Sequence, residues 1–207
     1  MSFNDIWHSK NESEWNALLK KYWQLIQVDN IQIKFELNRL TPEYIASLGK
    51  EEWYEFLLEK YFRWKYTAPN RFATTTAIFK KYVKDGKLDE LHDIKNQILS
   101  MDLNDISNSL KVTTNIRGLG VAGASGLLSL IYPDYFGTVD QFVVKALLEV
   151  NDKKKMVSEM KPEGLTVEDG VILIKIMKAK ASENNELFES AFWNPRTLEM
   201  ALWAYRS

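Results

Sequence analysis

The chain of 207 residues contains no cysteine and only two histidines, His8 and His92, far apart in sequence. Without thiols there is no disulfide, no thiolate metal site and no iron–sulfur cluster, and a zinc site built from His and Cys is disfavoured. No stretch of about 18 uninterrupted apolar residues occurs, so no membrane span is expected. Met1-Ser2-Phe3-Asn4-Asp5 lacks the charged-then-apolar pattern of a signal peptide, and the expectation is a soluble cytoplasmic protein. A basic excess is missing too. The chain has 27 Lys and Arg against 28 Asp and Glu, a net charge of −1. That argues against indiscriminate nucleic-acid binding, which needs a basic domain. Repeats, low-complexity tracts and clear linkers are also absent.

What is present is helical patterning and local charge asymmetry. With 45% hydrophobic residues the chain can build a substantial interior. From Lys60 to Lys84 there are seven basic residues and no acid, and from Ile106 to Pro133 there are Lys111 and Arg117, again without an acid. Such zones allow one positive face on a neutral protein, or are solvated helix surface. Trp15, Leu18, Leu19, Tyr22 and Leu25 recur at spacings of three and four, which predicts an amphipathic helix. Thr41-Pro42-Glu43 reads as a helix start, and Asn194-Pro195 as another, with Arg196 exposed beside it. Val28 to Phe35, where Ile31, Ile33 and Phe35 alternate with polar residues, reads as a short strand or extended arm. Asn151 to Lys161 reads as a loop or frayed helix end. The sum is an all-α protein, a single helical domain over 1–207 with about ten short helices in two lobes. One lobe spans roughly 50–150, and the N- and C-terminal segments form the other.

The most informative stretch is Ile116-Arg117-Gly118-Leu119-Gly120-Val121-Ala122-Gly123-Ala124. Two glycines flanking one apolar residue make a tight link between helices, within a hairpin over about 106–132. The link leads into a helix start near Val121, whose free N–H groups and dipole favour an anion. Such a contact positions a phosphate backbone without reading sequence. Thr138-Val139-Asp140 then places an acid twenty positions after Gly120, at the start of another helix. By itself Asp140 is either a functional carboxylate or an acid in the first turn of a helix after Thr138, stabilising the helix dipole.

On these residues the chain resembles the helix-hairpin-helix DNA glycosylase superfamily. Ile116-Arg117-Gly118-Leu119-Gly120 is similar to that family's L-P-G-h-G hairpin, and Thr138-Val139-Asp140 to its V-D element. The resemblance covers about thirty residues. It implies a two-lobed helical fold and duplex DNA held through Gly118, Gly120, Arg117, Val121 and Ala122. It also implies a catalytic Asp140 that assists cleavage of an N-glycosidic bond after base flipping. It implies no organic cofactor and no metal, and is compatible with a monovalent cation at the hairpin. Strand-cleaving members carry a lysine two residues after the second glycine. Here that position is Ala122, so the usual lyase chemistry is disfavoured and a monofunctional enzyme, or a non-catalytic module of the same fold, remains.

Arg63-Trp64-Lys65-Tyr66-Thr67-Ala68-Pro69-Asn70-Arg71 interleaves rings, charge and an amide at a helix break. Trp64 and Tyr66 are candidates for stacking on an extruded base, Asn70 for reading its edge, and Lys65 and Arg71 for holding phosphates. The simpler alternative makes Trp64 the next member of a core stripe of Trp53, Phe56, Leu57 and Tyr61.

Overall fold

A computed structural model describes residues 2–205, apart from the side chain of Asp29. The protein is all-α, with no strand among the described residues. Helices α1 (Phe3–Trp7), α2 (Glu12–Leu25), α3 (Val28–Leu37), α4 (Pro42–Ser47) and α5 (Lys50–Glu55) lead into a π-helical turn, Phe56–Tyr61, that continues as α6 (Phe62–Lys65). The middle of the chain forms α7 (Pro69–Phe79), α8 (Lys81–Lys84), α9 (Leu88–Ser100), α10 (Ile106–Thr114) and α11 (Val121–Ile131). The remainder forms α12 (Gln141–Leu148), α13 (Asn151–Val157), α14 (Val167–Leu187) and α15 (Pro195–Ala204). There are more elements than the ten or so read from periodicity, because patterns that look continuous are interrupted. The run Phe72 to Val83, for example, breaks at Lys80 into α7 and α8.

Local chemistry accounts for many of the boundaries. Thr41 accepts the Tyr44 N–H with Pro42 in the first turn, and Asp105 caps α10 through the Asn108 N–H. Thr166 with Asp169 and Asn194 with Thr197 form capping boxes. The π turn has its own cause. Buried Phe56 and Leu57 are followed by buried Tyr61 and Phe62, a spacing of five that an α-helix does not keep on one face. One wider turn restores the register. It leaves Trp64, Lys65 and Tyr66 emerging together beyond the core.

Two sequence expectations are corrected. Val28–Leu37 is a helix, not a strand. Its inward positions are Lys34 and Leu37, both fully buried, so the alternation of Ile31, Ile33 and Phe35 was coincidental. A lysine fills the place where an apolar residue would have revealed the helical period. Phe35 is exposed and stacks on Trp23 at 5.2 Å. Asn151–Val157 is likewise a helix, tied to the N-terminus by the Asn151 N–H donating to the Asn4 side chain at 3.0 Å.

The core is aromatic and continuous. Trp15, Trp53, Tyr61, Phe62, Phe79 and Tyr82 are fully buried, each contributing on the order of 1.5–3 kcal/mol of transfer free energy. α15 packs on α2, α12 and α14, and the Phe3 N–H donates to the Tyr205 hydroxyl at 3.1 Å. In the middle of the chain α5 packs on α9, α9 on α10, and α10 on α11. α10 and α11 also meet α14, which joins the two groups. Every residue of α11 from Gly123 to Ile131 is buried. A helix apolar on all sides takes the centre of such a packing. No helix among the described residues is long and apolar enough to cross a membrane.

Candidate active site

The hairpin turn is anchored by Ile116 and Leu119, both buried. Between them Gly118 has φ +91°, the left-handed region that side chains rarely adopt. A Cβ there would also stand 3.0 Å from the Thr75 carbonyl oxygen. Gly120 differs: it is extended, forms the N-cap of α11, and has nothing within 4 Å of where a Cβ would lie. No side chain among the described residues caps α11. Its first N–H groups therefore have no side-chain acceptor among the described residues, the arrangement that binds anions. The two glycines should separate on substitution. Gly118→Ala is expected to lower stability by about 1–3 kcal/mol in urea melts. Gly120→Ala is expected to stay within about 0.5 kcal/mol of the parent in the same melts.

Asp140 is the N-cap of α12. Its Oδ1 accepts the Phe142 N–H at 2.9 Å and the Val143 N–H at 3.2 Å. Oδ2 makes no hydrogen bond among the described residues. The carboxylate is thus fixed in direction by the helix end with one oxygen unspent. The approach to it is built from α11: Ser125 Oγ accepts the Val139 N–H at 2.9 Å, and Ser129 pairs with Thr138 at 3.2 Å. These small hydroxyls bring the Thr138-Val139-Asp140 segment against the hairpin helix.

Asp140 and the hairpin open onto one cavity of about 680 Å³. Gly118, Gly120, Val121, Ala122 and Gly123 form one side of it. Trp64, Lys65, Tyr66, Arg71 and Thr75 form a second. Tyr22, Ile26, Gln27, Pro162 to Leu165, Phe142, Glu199 and Trp203 complete the lining. The volume falls in the range of small-molecule sites, roughly 300–1,000 Å³. Tyr66 reaches over the hairpin helix because Gly123 lacks a side chain: a Cβ there would lie 2.6 Å from the Tyr66 hydroxyl. Burial pushes the Tyr66 pKa up to about 12, so the phenol stays protonated and can donate.

Beneath the cavity lies a charged group that sequence reasoning missed. Arg196 and Glu199, both buried, pair at 3.2 Å on α15. Arg196 also donates to Ser129 Oγ at 3.2 Å and lies 5.2 Å from the Trp64 ring. It was expected to be exposed, and the structure corrects this. Lys34 is fully buried with its Nζ 4.8 Å from the Trp64 ring and 4.9 Å from the Tyr22 ring, and without a hydrogen-bond partner. Burial, and then Arg196, hold its amine well below the usual lysine range. Burial raises the Glu199 carboxyl, and Arg196 opposes that shift. Lys65 is partly buried, and burial lowers its amine, against the pull of Asp140 and Glu199. Trp64 is therefore neither plain core nor a free stacking platform; it is a partly buried ring bearing cations.

Some expected residues sit elsewhere. Arg117 does not line the cavity. Its guanidinium pairs with Asp85 at 2.8 Å and Glu90 at 3.5 Å and lies 4.5 Å from the Tyr82 ring. It braces the turn rather than offering a free cation. Asn70 also lies outside the cavity, with its side-chain oxygen accepting the Arg71 N–H at 2.8 Å. The stretch free of acids in sequence is not so in space: Lys60 pairs with Glu36 at 2.9 Å and Arg63 with Glu59 at 2.7 Å. Among the described residues no group of three His, Cys, Asp or Glu side chains is arranged to hold a metal ion. No protein-family model, no curated protein and no solved structure matches the chain.

Proposed function

We propose that the protein binds duplex DNA through its glycine hairpin and hydrolyses the N-glycosidic bond of a base extruded into the cavity, with Asp140 as the catalytic carboxylate. One observation carries this reading: the first turn of α11, which no side chain caps, and Asp140, with one oxygen outside the helix cap, line the same cavity together with several aromatic rings. In this reading the N–H groups after Gly120 hold a backbone phosphate beside the target nucleotide. The extruded base enters between Tyr66 and the rings of Phe142 and Trp203. As the glycosidic bond lengthens, the Asp140 carboxylate stabilises the positive charge developing on the sugar and orients the attacking water. Tyr66 donates a hydrogen bond to the departing base.

A second reading, a non-catalytic module of the same fold, is favoured by the cap: Asp140 already has a structural task at α12. The test is a panel of duplexes carrying deaminated, alkylated and oxidised bases. The enzyme reading expects an abasic site in at least one duplex, and an affinity that falls steeply with salt. Duplex affinity without product from any lesion would leave the module. No affinity at low salt and no product would overturn both.

A further inference from the structure

We propose that Lys80, Lys81 and Lys84 form a second phosphate-contact surface for duplex DNA, beside the hairpin and separate from the cavity. This rests on the reading of the hairpin as a duplex-binding element. The three lysines line a depression of about 560 Å³ together with Ala77 and Asp85, where α7 passes into α8. All three are exposed, and none of their amines has a partner among the described residues. The other cations of the run Lys60 to Lys84 are engaged elsewhere. Lys60 pairs with Glu36 and Arg63 with Glu59, while Lys65 and Arg71 line the cavity. The one acid at the depression, Asp85, is held by Arg117 at 2.8 Å. Positive charge is thus left uncompensated at one place on a chain whose net charge is −1. Such a patch is complementary to a polyanion.

The lysines are fastened to the hairpin turn. Tyr82, buried between Lys81 and Lys84 in sequence, accepts the Arg117 N–H on its hydroxyl at 3.2 Å and donates to the Asn115 carbonyl at 3.3 Å. The Arg117 guanidinium lies 4.5 Å from the same ring on its way to Asp85. On α7, the Thr75 carbonyl oxygen would stand 3.0 Å from a Cβ at Gly118. Both helices that carry the lysines therefore touch the turn that starts α11. Arg117 stands where the L-P-G-h-G pattern has proline, so this fastening belongs to the present chain. A cation expected to touch phosphate instead holds in place the segment that bears three others.

The spacing suits one ligand. Thr75 lines the cavity, and Lys84 is nine residues further on. At the helical rise that is no more than about 14 Å, or about four base pairs of duplex axis. A helical turn of duplex is about 34 Å, so a single bound duplex is long enough to span both places.

The experiment is the salt dependence of duplex affinity. The full-length protein is titrated with an undamaged duplex, and with the same duplex carrying one abasic site, over a series of salt concentrations. In the triple variant Lys80→Gln, Lys81→Gln, Lys84→Gln the slope of log affinity against log salt is expected to flatten by about 2–3, close to one per lysine. Both duplexes are expected to weaken by the same factor, because phosphate contacts do not read bases. The control is Lys154→Gln, Lys155→Gln, Lys175→Gln, which removes three exposed lysines that line neither depression. It is expected to keep the parent's slope. Neutral methylphosphonate linkages, introduced one at a time, locate the contact. Positions that weaken the parent but not the first variant are expected within about four base pairs of those that weaken both. If the parent binds duplex and the first variant keeps its slope, the proposal is overturned and the reading of the hairpin stands. Equal losses in the two triple variants would also overturn it, since net charge alone would then account for the effect. A parent that binds no duplex at low salt would overturn the proposal and the reading of the hairpin together.

Discussion

Asp140→Asn is expected to lower base release by about 10²–10⁴-fold while leaving fold and duplex affinity in place. The asymmetry follows from the two tasks of the side chain. Asparagine caps helices as well as aspartate, so the bonds to the Phe142 and Val143 N–H groups persist through its amide oxygen. What disappears is the negative charge of a side chain that lines the cavity. Asp140→Ala loses both, and a further loss of about 1 kcal/mol in stability should appear in chemical melts. Single-turnover release from a lesion duplex and a gel-shift titration of the same duplex separate chemistry from binding. Base release by Asp140→Asn equal to that of the parent would mean the residue is a helix cap only.

Lys34→Met is expected to stabilise the protein by about 1–4 kcal/mol, a gain that depends on pH. Lys34 is fully buried, has no hydrogen-bond partner and faces a second cation, Arg196. The two rings beside its Nζ recover only part of the lost hydration. Its amine is held well below the unfolded value of 10.5. Above pH 10.5 both states are neutral and the penalty vanishes. As pH falls through that value the unfolded chain takes up a proton that the folded chain does not, and wild-type stability declines. The advantage of Lys34→Met should therefore grow as pH falls from about 10.5 and level off once the folded amine also protonates. Urea melts at pH 7 and pH 10.5 measure it. A loss of stability, or a gain that ignores pH, would show that the buried lysine is satisfied by its rings.

Much of the fold was legible because its signals are local. Thr41-Pro42 and Asn194-Pro195 announce helix starts through chemistry confined to three or four residues, and each cap is made. The hairpin was legible for the same reason: Gly118 and Gly120 carry backbone requirements independent of the rest of the chain. α3 was not, because its inward position holds a lysine, and periodicity reads hydrophobicity rather than burial. The candidate site was legible on one side only. Asp140 and the hairpin come from one short stretch, and Tyr66 and Lys65 from one break. Glu199, Trp203 and Tyr22 reach the same cavity from the two ends of the chain. Arg117 and Asn70 lie outside the cavity with partners of their own, Asp85 and Glu90 for one and the Arg71 backbone for the other.

The central helix has a mechanical consequence. α11 is enclosed from Gly123 to Ile131, and only its first turn reaches the surface. Whatever presses on the hairpin presses on the best-braced element of the molecule, which yields little. Two other parts of the lining, Ile26–Gln27 between α2 and α3 and Pro162–Leu165 before α14, are connecting chain. The cavity lining thus joins a braced helix end to connecting chain, and any widening needed to admit a bulky guest falls first to the connecting chain.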